Sequence, residues 1–302
     1  MSFRGSRRDF LKLVSVGGVV FASGLAGASP LAKSKKKSAA AKDFFFLQLS
    51  DTHWGFAGSP NPQADMTLKQ AVATINSVAV QPDFIVFTGD LTHTTDDVAV
   101  RKKRMSEFKQ IVGDLKVKPL RLMAGEHDAS LDAGAAYQEF FGALHYSFDH
   151  KGVHFVVVDN VSDPGAAVGD AQIDWLAADL KKAGTNAPIV VFTHRPLFDL
   201  YPQWDWSTKD GAKVVDVLMP YKNVTVFYGH IHQENHHKTE HIEHHAARSL
   251  VFALPPPGSQ PKRAPVPWDA GEPYKGLGYR SVTVEPYDGD TKLIELPVTK
   301  QT

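Results

Sequence analysis

The sequence predicts an α/β domain in which two packed sheets carry helices on their outer faces. Short runs of β-branched and aromatic residues recur along the chain and read as strands buried on both faces. Between them lie longer segments with apolar residues at helical spacing. Beyond Gly229 the helical segments stop and strand-like runs continue, a pattern that two packed sheets accommodate.

In chain order, strands are expected at Phe44–Leu49, Phe84–Thr88, Leu120–Met123, Val153–Val158, Ile189–Thr193 and Val224–Tyr228. Helices are expected at Asp65–Ala79, Val98–Leu115, Gln172–Ala183 and Thr208–Met219. In the third, Trp175, Leu176 and Leu180 form a core-facing stripe. His145–Phe148 and Val153–Val158, joined by Asp149-His150-Lys151-Gly152, read as a hairpin. Further strands are expected at Arg248–Leu254, Tyr279–Val284 and Thr291–Leu296, separated by Pro- and Gly-rich loops.

The N-terminus reads as a targeting segment. Ser6-Arg7-Arg8-Asp9-Phe10-Leu11-Lys12 resembles a twin-arginine export signal, followed by an apolar stretch from Leu13 to Leu25 and a small-residue cleavage site at Ala26-Gly27-Ala28. The apolar stretch falls short of the roughly 20 residues that a membrane span needs. The expected division is a signal over 1–28, a basic linker over 29–42 that includes Lys33 to Lys37, and one domain over 43–300. The expected location is periplasmic or secreted after export in the folded state, with the export machinery as the only membrane contact. The absence of Cys suits an oxidising compartment. After residue 28 the chain carries 29 basic and 32 acidic residues, a net charge of −3, so nucleic acid is not expected as the main partner.

Five short polar segments follow apolar runs: Asp51-Thr52-His53, Gly89-Asp90, Gly125-Glu126-His127-Asp128, Thr193-His194 and Gly229-His230-Ile231-His232. Each falls where a buried strand gives way to a loop, and in α/β sheets ligands gather at such carboxyl ends. Oxygen and imidazole donors suit Mn, Fe, Zn or Ni. Six or seven of them in one pocket can hold two ions, a clamp for in-line displacement at phosphorus.

The order D-x-H, G-D, G-N-H-[DE], H, G-H-x-H resembles that of the calcineurin-like metallophosphoesterases, from Asp51 to His232. The resemblance implies a four-layer α/β/β/α sandwich of two mixed sheets. It further implies two divalent or trivalent transition-metal ions (Mn, Fe or Zn) and a small phosphorylated substrate. Asp51, His53 and His232 would hold the first ion, Asp90 would bridge, and His194, His230 and position 126 would hold the second. The implied chemistry is in-line attack by a metal-bridging hydroxide, with His127 assisting the leaving group or stabilising the phosphorane. Asp90 orients that His in the family, and Asp128 could contribute here; otherwise Asp128 reads as a loop cap.

One position departs from the pattern: Glu126 stands where the family has Asn. Its charge should tighten the second ion and penalise a dianionic monoester more than a monoanionic diester, so phosphodiesters are favoured. Arg195, next to His194, is the basic residue expected to contact substrate, together with His127. A second reading, a periplasmic metal-binding or metal-sensing protein with weak or no hydrolysis, rests on Glu126 and on the surplus of His after Gly229. The surplus reads first as a solvated strand and turn or a phosphate-binding rim; His237, His241 and His245 would share a face if helical and could form an accessory metal site, whereas in a strand that face dissolves. His93 is a candidate contact behind the ligands. Trp54, Tyr201, Trp204, Trp206, Trp268 and Tyr274 could stack a substrate or pack as satellite core, and the Pro-rich loop from Pro255 to Pro267 could border the cleft.

Overall fold

The strand-like runs assemble into two six-stranded mixed sheets. The computed structural model describes residues 20–22, 43–285 and 290–299. One sheet contains β1 (Val20–Ala22), β2 (Phe44–Leu49), β3 (Phe84–Thr88), β4 (Leu120–Met123), β11 (Gly278–Glu285) and β12 (Asp290–Pro297), in the order β1-β12-β11-β2-β3-β4. The other contains β5 (Tyr146–His150), β6 (Val153–Val157), β7 (Pro188–Phe192), β8 (Asn223–Tyr228), β9 (Asn235–Thr239) and β10 (Ile242–Ala246), in the order β5-β6-β7-β8-β10-β9.

Side chains alternate along each strand, and this alternation builds the layers. Phe44, Phe46, Phe84 and Val86 meet Phe155, Val157, Phe192 and Phe227 between the sheets. Phe46 stacks on Phe84 with ring centroids 4.8 Å apart and stands edge-on to Phe155, Phe192 and Phe227. The opposite face of the first sheet presents Phe45, Leu47, Ile85 and Phe87 to α1 (Ala64–Ser77), α2 (Val98–Gly113) and, past the short α3 (Glu126–Ala129), α4 (Ala135–Phe141). The second sheet presents Val156, Ile189, Val191 and Val226 to α5 (Asp170–Ala183) and α6 (Gly211–Leu218). The result is the expected α/β/β/α order of layers.

Strands β2, β3 and β4 run parallel, as do β6, β7 and β8. Their carboxyl ends meet at one edge of the sandwich. There Asp51 N–H donates to the Gly89 carbonyl (3.1 Å), and Gln48 reaches across to the Tyr228 carbonyl (3.1 Å). The expected hairpin turns at Lys151 and Gly152, both with positive φ, the conformation that a tight two-residue turn requires.

Two expectations are corrected. Residues 248–254, read as a strand, form loop, because β10 already fills the place beside β8. His237, His241 and His245 do not share a helical face. They lie on the antiparallel hairpin β9–β10, where side chains alternate and His237 opposes His244 while His245 opposes His236. The export signal and basic linker fall outside the described residues except for Val20–Ala22, which pair antiparallel with β12.

Candidate metal centre

Five donor residues sit on the loops just after their strands with left-handed backbones: Asp51 (φ 53°), His53 (42°), Asp90 (49°), His230 (65°) and His232 (52°). Such conformations cost of order 1–3 kcal/mol each in a residue with a side chain and persist where the surroundings impose them. Glycines allow the loops to close in. A Cβ at Gly229 would lie 2.1 Å from Ser50 Oγ, and one at Gly125 would lie 2.1 Å from both the backbone N and Oδ1 of Asp90. The glycines of two motifs are thus explained by close approach.

The donors form two groups. Donor atoms of Asp51, His53, Asp90 and His232 lie within 4.8 Å of one another, and so do those of Glu126, His194 and His230. In the first, His53 Nε2 is 3.3 Å from Asp90 Oδ2 and 3.2 Å from His232 Nε2, which is 3.4 Å from Asp51 Oδ1. Donors about 2.1 Å from a transition-metal ion sit about 3.0–3.4 Å apart, so these spacings fit one ion. In the second, Glu126 sets one oxygen 2.7 Å from His194 Nε2 and the other 2.7 Å from His230 Nδ1. Asp90 Oδ2 lies 3.4 Å from His194 Nε2 and thereby touches both groups.

The outer nitrogens show that the inner ones carry lone pairs. A carbonyl oxygen only accepts, so His194 Nδ1 donates to Thr88 (2.7 Å), His230 Nε2 to Asp205 (2.9 Å) and His232 Nδ1 to Phe252 (2.9 Å). This arrangement orients metal-binding imidazoles. Glu126 Oε2, His194 Nε2 and His230 Nδ1 are buried and, among the described residues, have no hydrogen-bond partner. Orphaned buried donors and acceptors are rare; a cation at their common focus accounts for all three. The electrostatics agree. Burial opposes charge on His194, yet Asp90 and Glu126 push its pKa well above the usual imidazole range, so the point between them favours positive charge. Burial raises the carboxyl of Glu126, but His230 and His194 hold it well below the usual range.

A cavity of about 130 Å³ opens onto His53, Asp90, Glu126, His230 and His232, lined also by His93, His127, Phe252, Leu254 and Arg263. His127 Nδ1 accepts from Thr94 N–H (3.2 Å), which leaves the ring's hydrogen on Nε2. The backbone N–H of His127, not its ring, donates to Asp90 Oδ1 (2.9 Å). Asp128 caps the loop by accepting from Leu91 N, Thr92 N, Thr92 Oγ1 and Gly125 N. Burial holds His93 down to about 4, so its ring is neutral.

Arg195 is not at the cavity. It is buried, its Nε donates to the Ser207 carbonyl (2.9 Å), and its Nη2 meets the Asp205 carboxylate (2.5 Å). Adjacency to His194 in sequence places it behind that histidine, where it fastens the loop that carries Asp205. The cavity's cation is Arg263, an exposed side chain whose Nη1 donates to the Trp204 carbonyl (3.2 Å). It lies in the Pro-rich loop, which borders the cleft through Arg263 and Pro265. Sequence reasoning passed over Arg263; its position among prolines that stiffen a loop near the motifs was the available signal.

The accessory histidines are dispersed. His237 stacks on Phe198 (3.8 Å between centroids), His241 Nε2 meets the Tyr221 carbonyl (2.6 Å), and His245 Nδ1 meets His236 Nδ1 (2.7 Å). Trp204 and Trp206 are buried with Tyr228 and Ile231, and Tyr274 packs against the first core, so these aromatics serve as packing. Trp54 binds Glu107 through its indole N–H (2.9 Å).

Comparison with known proteins agrees with this architecture. Bovine serine/threonine-protein phosphatase CPPED1 is 28% identical over 177 residues, 51% of this chain and 56% of its own length. The human protein is 26% identical over 230 residues, 66% and 73% respectively. A probable cyclic nucleotide phosphodiesterase from Rhodococcus erythropolis is 25% identical over 198 residues, 62% and 64%. The chain therefore spans between about half and three-quarters of the length of these curated relatives. Among solved structures, purple acid phosphatase PPD1 from yellow lupin shares the fold with a TM-score of 0.61 at 13% identity, over 82% of this chain and 51% of that one. A dimetal phosphatase from Danio rerio does so with a TM-score of 0.56 at 13% identity, over 85% and 99%. The model of the calcineurin-like phosphoesterases matches residues 46–234, from β2 through the loop that carries His230 and His232, and the chain belongs to that family.

Proposed function

We propose that the protein is a dinuclear-metal phosphohydrolase of small phosphorylated molecules, with phosphodiesters preferred over monoesters. One observation carries the reading: two donor groups, one around His53 and His232 and one around His194 and His230, share the Asp90 carboxylate. Transition-metal ions bound in such a pair polarise phosphoryl oxygens and make water a nucleophile at neutral pH.

The chain's own residues supply the rest. Asp51, His53, Asp90 and His232 hold one ion, and Asp90, Glu126, His194 and His230 the other. His127, with its hydrogen on Nε2, would hydrogen-bond the leaving-group oxygen as negative charge develops there. Arg263 offers the cavity's guanidinium to a non-bridging or distal anionic oxygen. Asp51, Asp90 and Glu126 together leave a pair of divalent ions a residual charge of roughly +1, which suits a monoanionic diester better than a dianion. The relatives' names, phosphatase and probable cyclic nucleotide phosphodiesterase, span both ester classes.

The test is turnover of an aryl phosphodiester and an aryl phosphate by protein loaded separately with Mn, Fe and Zn. Metal-dependent turnover with the diester ahead is expected. Two bound ions without turnover of either ester would favour the metal-binding reading instead. The protein is further proposed to be exported by the twin-arginine pathway, on the strength of Ser6 to Lys12. Changing Arg7 and Arg8 to Lys should leave it in the cytoplasm, as read by fractionation.

A further inference from the structure

Three inward-facing imidazoles rest their outer nitrogen on a backbone carbonyl; His53 does not. Its Nδ1 lies 3.2 Å from Nδ1 of His93. We infer that His93 is the positioning residue for His53, accepting the Nδ1–H of His53 and thereby presenting its own Nε2–H to the cavity as a donor to a phosphoryl oxygen. This rests on the dinuclear reading in one respect, that His53 uses Nε2 as a ligand.

The argument follows a single proton. Between two Nδ1 atoms only one hydrogen can lie. The Nε2 of His53 faces Asp90 Oδ2 (3.3 Å) and His232 Nε2 (3.2 Å), so as a ligand it keeps its lone pair there and carries its hydrogen on Nδ1. His93 Nδ1 must then accept, and a neutral imidazole that accepts at Nδ1 carries its hydrogen on Nε2. His93 lines the cavity, and its Nε2 has no protein hydrogen-bond partner among the described residues. A carbonyl behind His53 would end the chain of hydrogen bonds; an imidazole passes it on to the substrate side.

His93 is held firmly enough for this role. Its backbone N–H donates to the Trp54 carbonyl (2.9 Å), and its carbonyl accepts from Arg104 Nη1 (2.7 Å). Phe56 stands edge-on to the ring (5.1 Å). The ring of His127 stacks on it (4.9 Å between centroids, 26°), so two N–H donors share one wall of the cavity.

The experiment uses zinc alone as the probe. In the zinc-loaded protein, long-range ¹H–¹⁵N correlation should show His93 as the Nε2–H tautomer. By calorimetric titration, His93→Phe should bind one of two zinc ions about tenfold or more weaker, the usual cost of losing such a partner. His93→Asn places an amide oxygen near the position of Nδ1 and should restore affinity to within about twofold. It should still turn over an aryl phosphodiester several-fold slower, since it lacks the second donor. A His93 Nδ1–H tautomer, or wild-type affinity for both ions in His93→Phe, overturns the inference. Where the Phe variant does not fold, the tautomer of the wild-type protein decides. Failure of the wild-type protein to take up two zinc ions would instead sink the dinuclear reading, and the role of His93 with it.

Discussion

Glu126 Oε2 and His194 Nε2 stand 2.7 Å apart, both buried, and among the described residues neither has a hydrogen-bond partner. Groups so placed aim past each other at a common point. Glu126 is therefore expected to be a ligand and also the brake on anion turnover. Glu126→Ala should lose one of two ions by metal analysis, together with the thermal stabilisation that a bound ion gives. Glu126→Asn should keep both ions and raise phosphodiester turnover severalfold. A fall in turnover with both ions in place would refute the charge argument.

His127 has Thr94 N–H on its Nδ1, and among the described residues no carboxylate hydrogen-bonds its ring. It is therefore expected to act as a hydrogen-bond donor through Nε2–H and not as half of a carboxylate–imidazole pair. His127→Ala should lower kcat about 10²–10⁴-fold with two ions retained. The loss should grow as the leaving group becomes more basic, which a series of substituted aryl esters would measure. A loss independent of leaving group would assign His127 to charge stabilisation instead.

The parts of the site read from sequence are those where one strand end carries one ligand pair. Asp51 and His53, or His230 and His232, are two apart on a loop just past a buried run, so each loop delivers two donors: Asp51 and His53 to one group, His230 and His232 one to each. Long-range folding was not readable in the same way. Arg195 follows a ligand yet turns away from the cavity, whereas Arg263 reaches it from a loop remote in sequence. For the histidines after Gly229 the sequence left the period open: a spacing of four joins residues on a helix, whereas β9 and β10 alternate and send His236 and His237 to opposite faces.

Arg263 and Arg195 give opposite predictions. Arg263→Ala should raise KM for an aryl phosphodiester about tenfold, the scale of one charge-assisted hydrogen bond, with kcat and stability little changed. Arg195→Ala should leave KM alone and lower the melting temperature, since its guanidinium fastens Ser207 and Asp205. Equal KM effects in the two variants would return the anion contact to Arg195.

Asp83 pairs with Lys151 and His150 across the β5–β6 turn. Partial burial raises its carboxyl, but Lys151 and His150 together hold it below the usual range. A depressed carboxyl contributes stability above its unfolded pKa, near 3.9, and loses it as pH falls through the folded value. Asp83→Asn should thus cost under about 1 kcal/mol at pH 7. The gap in melting temperature between variant and wild type should narrow as pH falls below about 4; a gap that stays constant into acid would mean packing, not charge, is at stake.

Arg280 and Glu295 form an ion pair between neighbouring strands of the first sheet, both buried. Arg280 also donates to Gln48 Oε1 (3.3 Å) and to the Ala246 carbonyl of the second sheet (2.6 Å). Gln48 in turn reaches Tyr228, so this polar group crosses the apolar layer beside the metal loops. Removing one partner leaves a buried charge uncompensated, which costs about 3–5 kcal/mol. Glu295→Ala should show that loss in the urea midpoint, and Arg280→Met with Glu295→Leu should cost less than either change alone. If the double variant is as stable as wild type but binds metal more weakly, the pair serves to set the register between the sheets at the loops carrying Asp51 and His230. If it binds metal normally, the pair is replaceable packing.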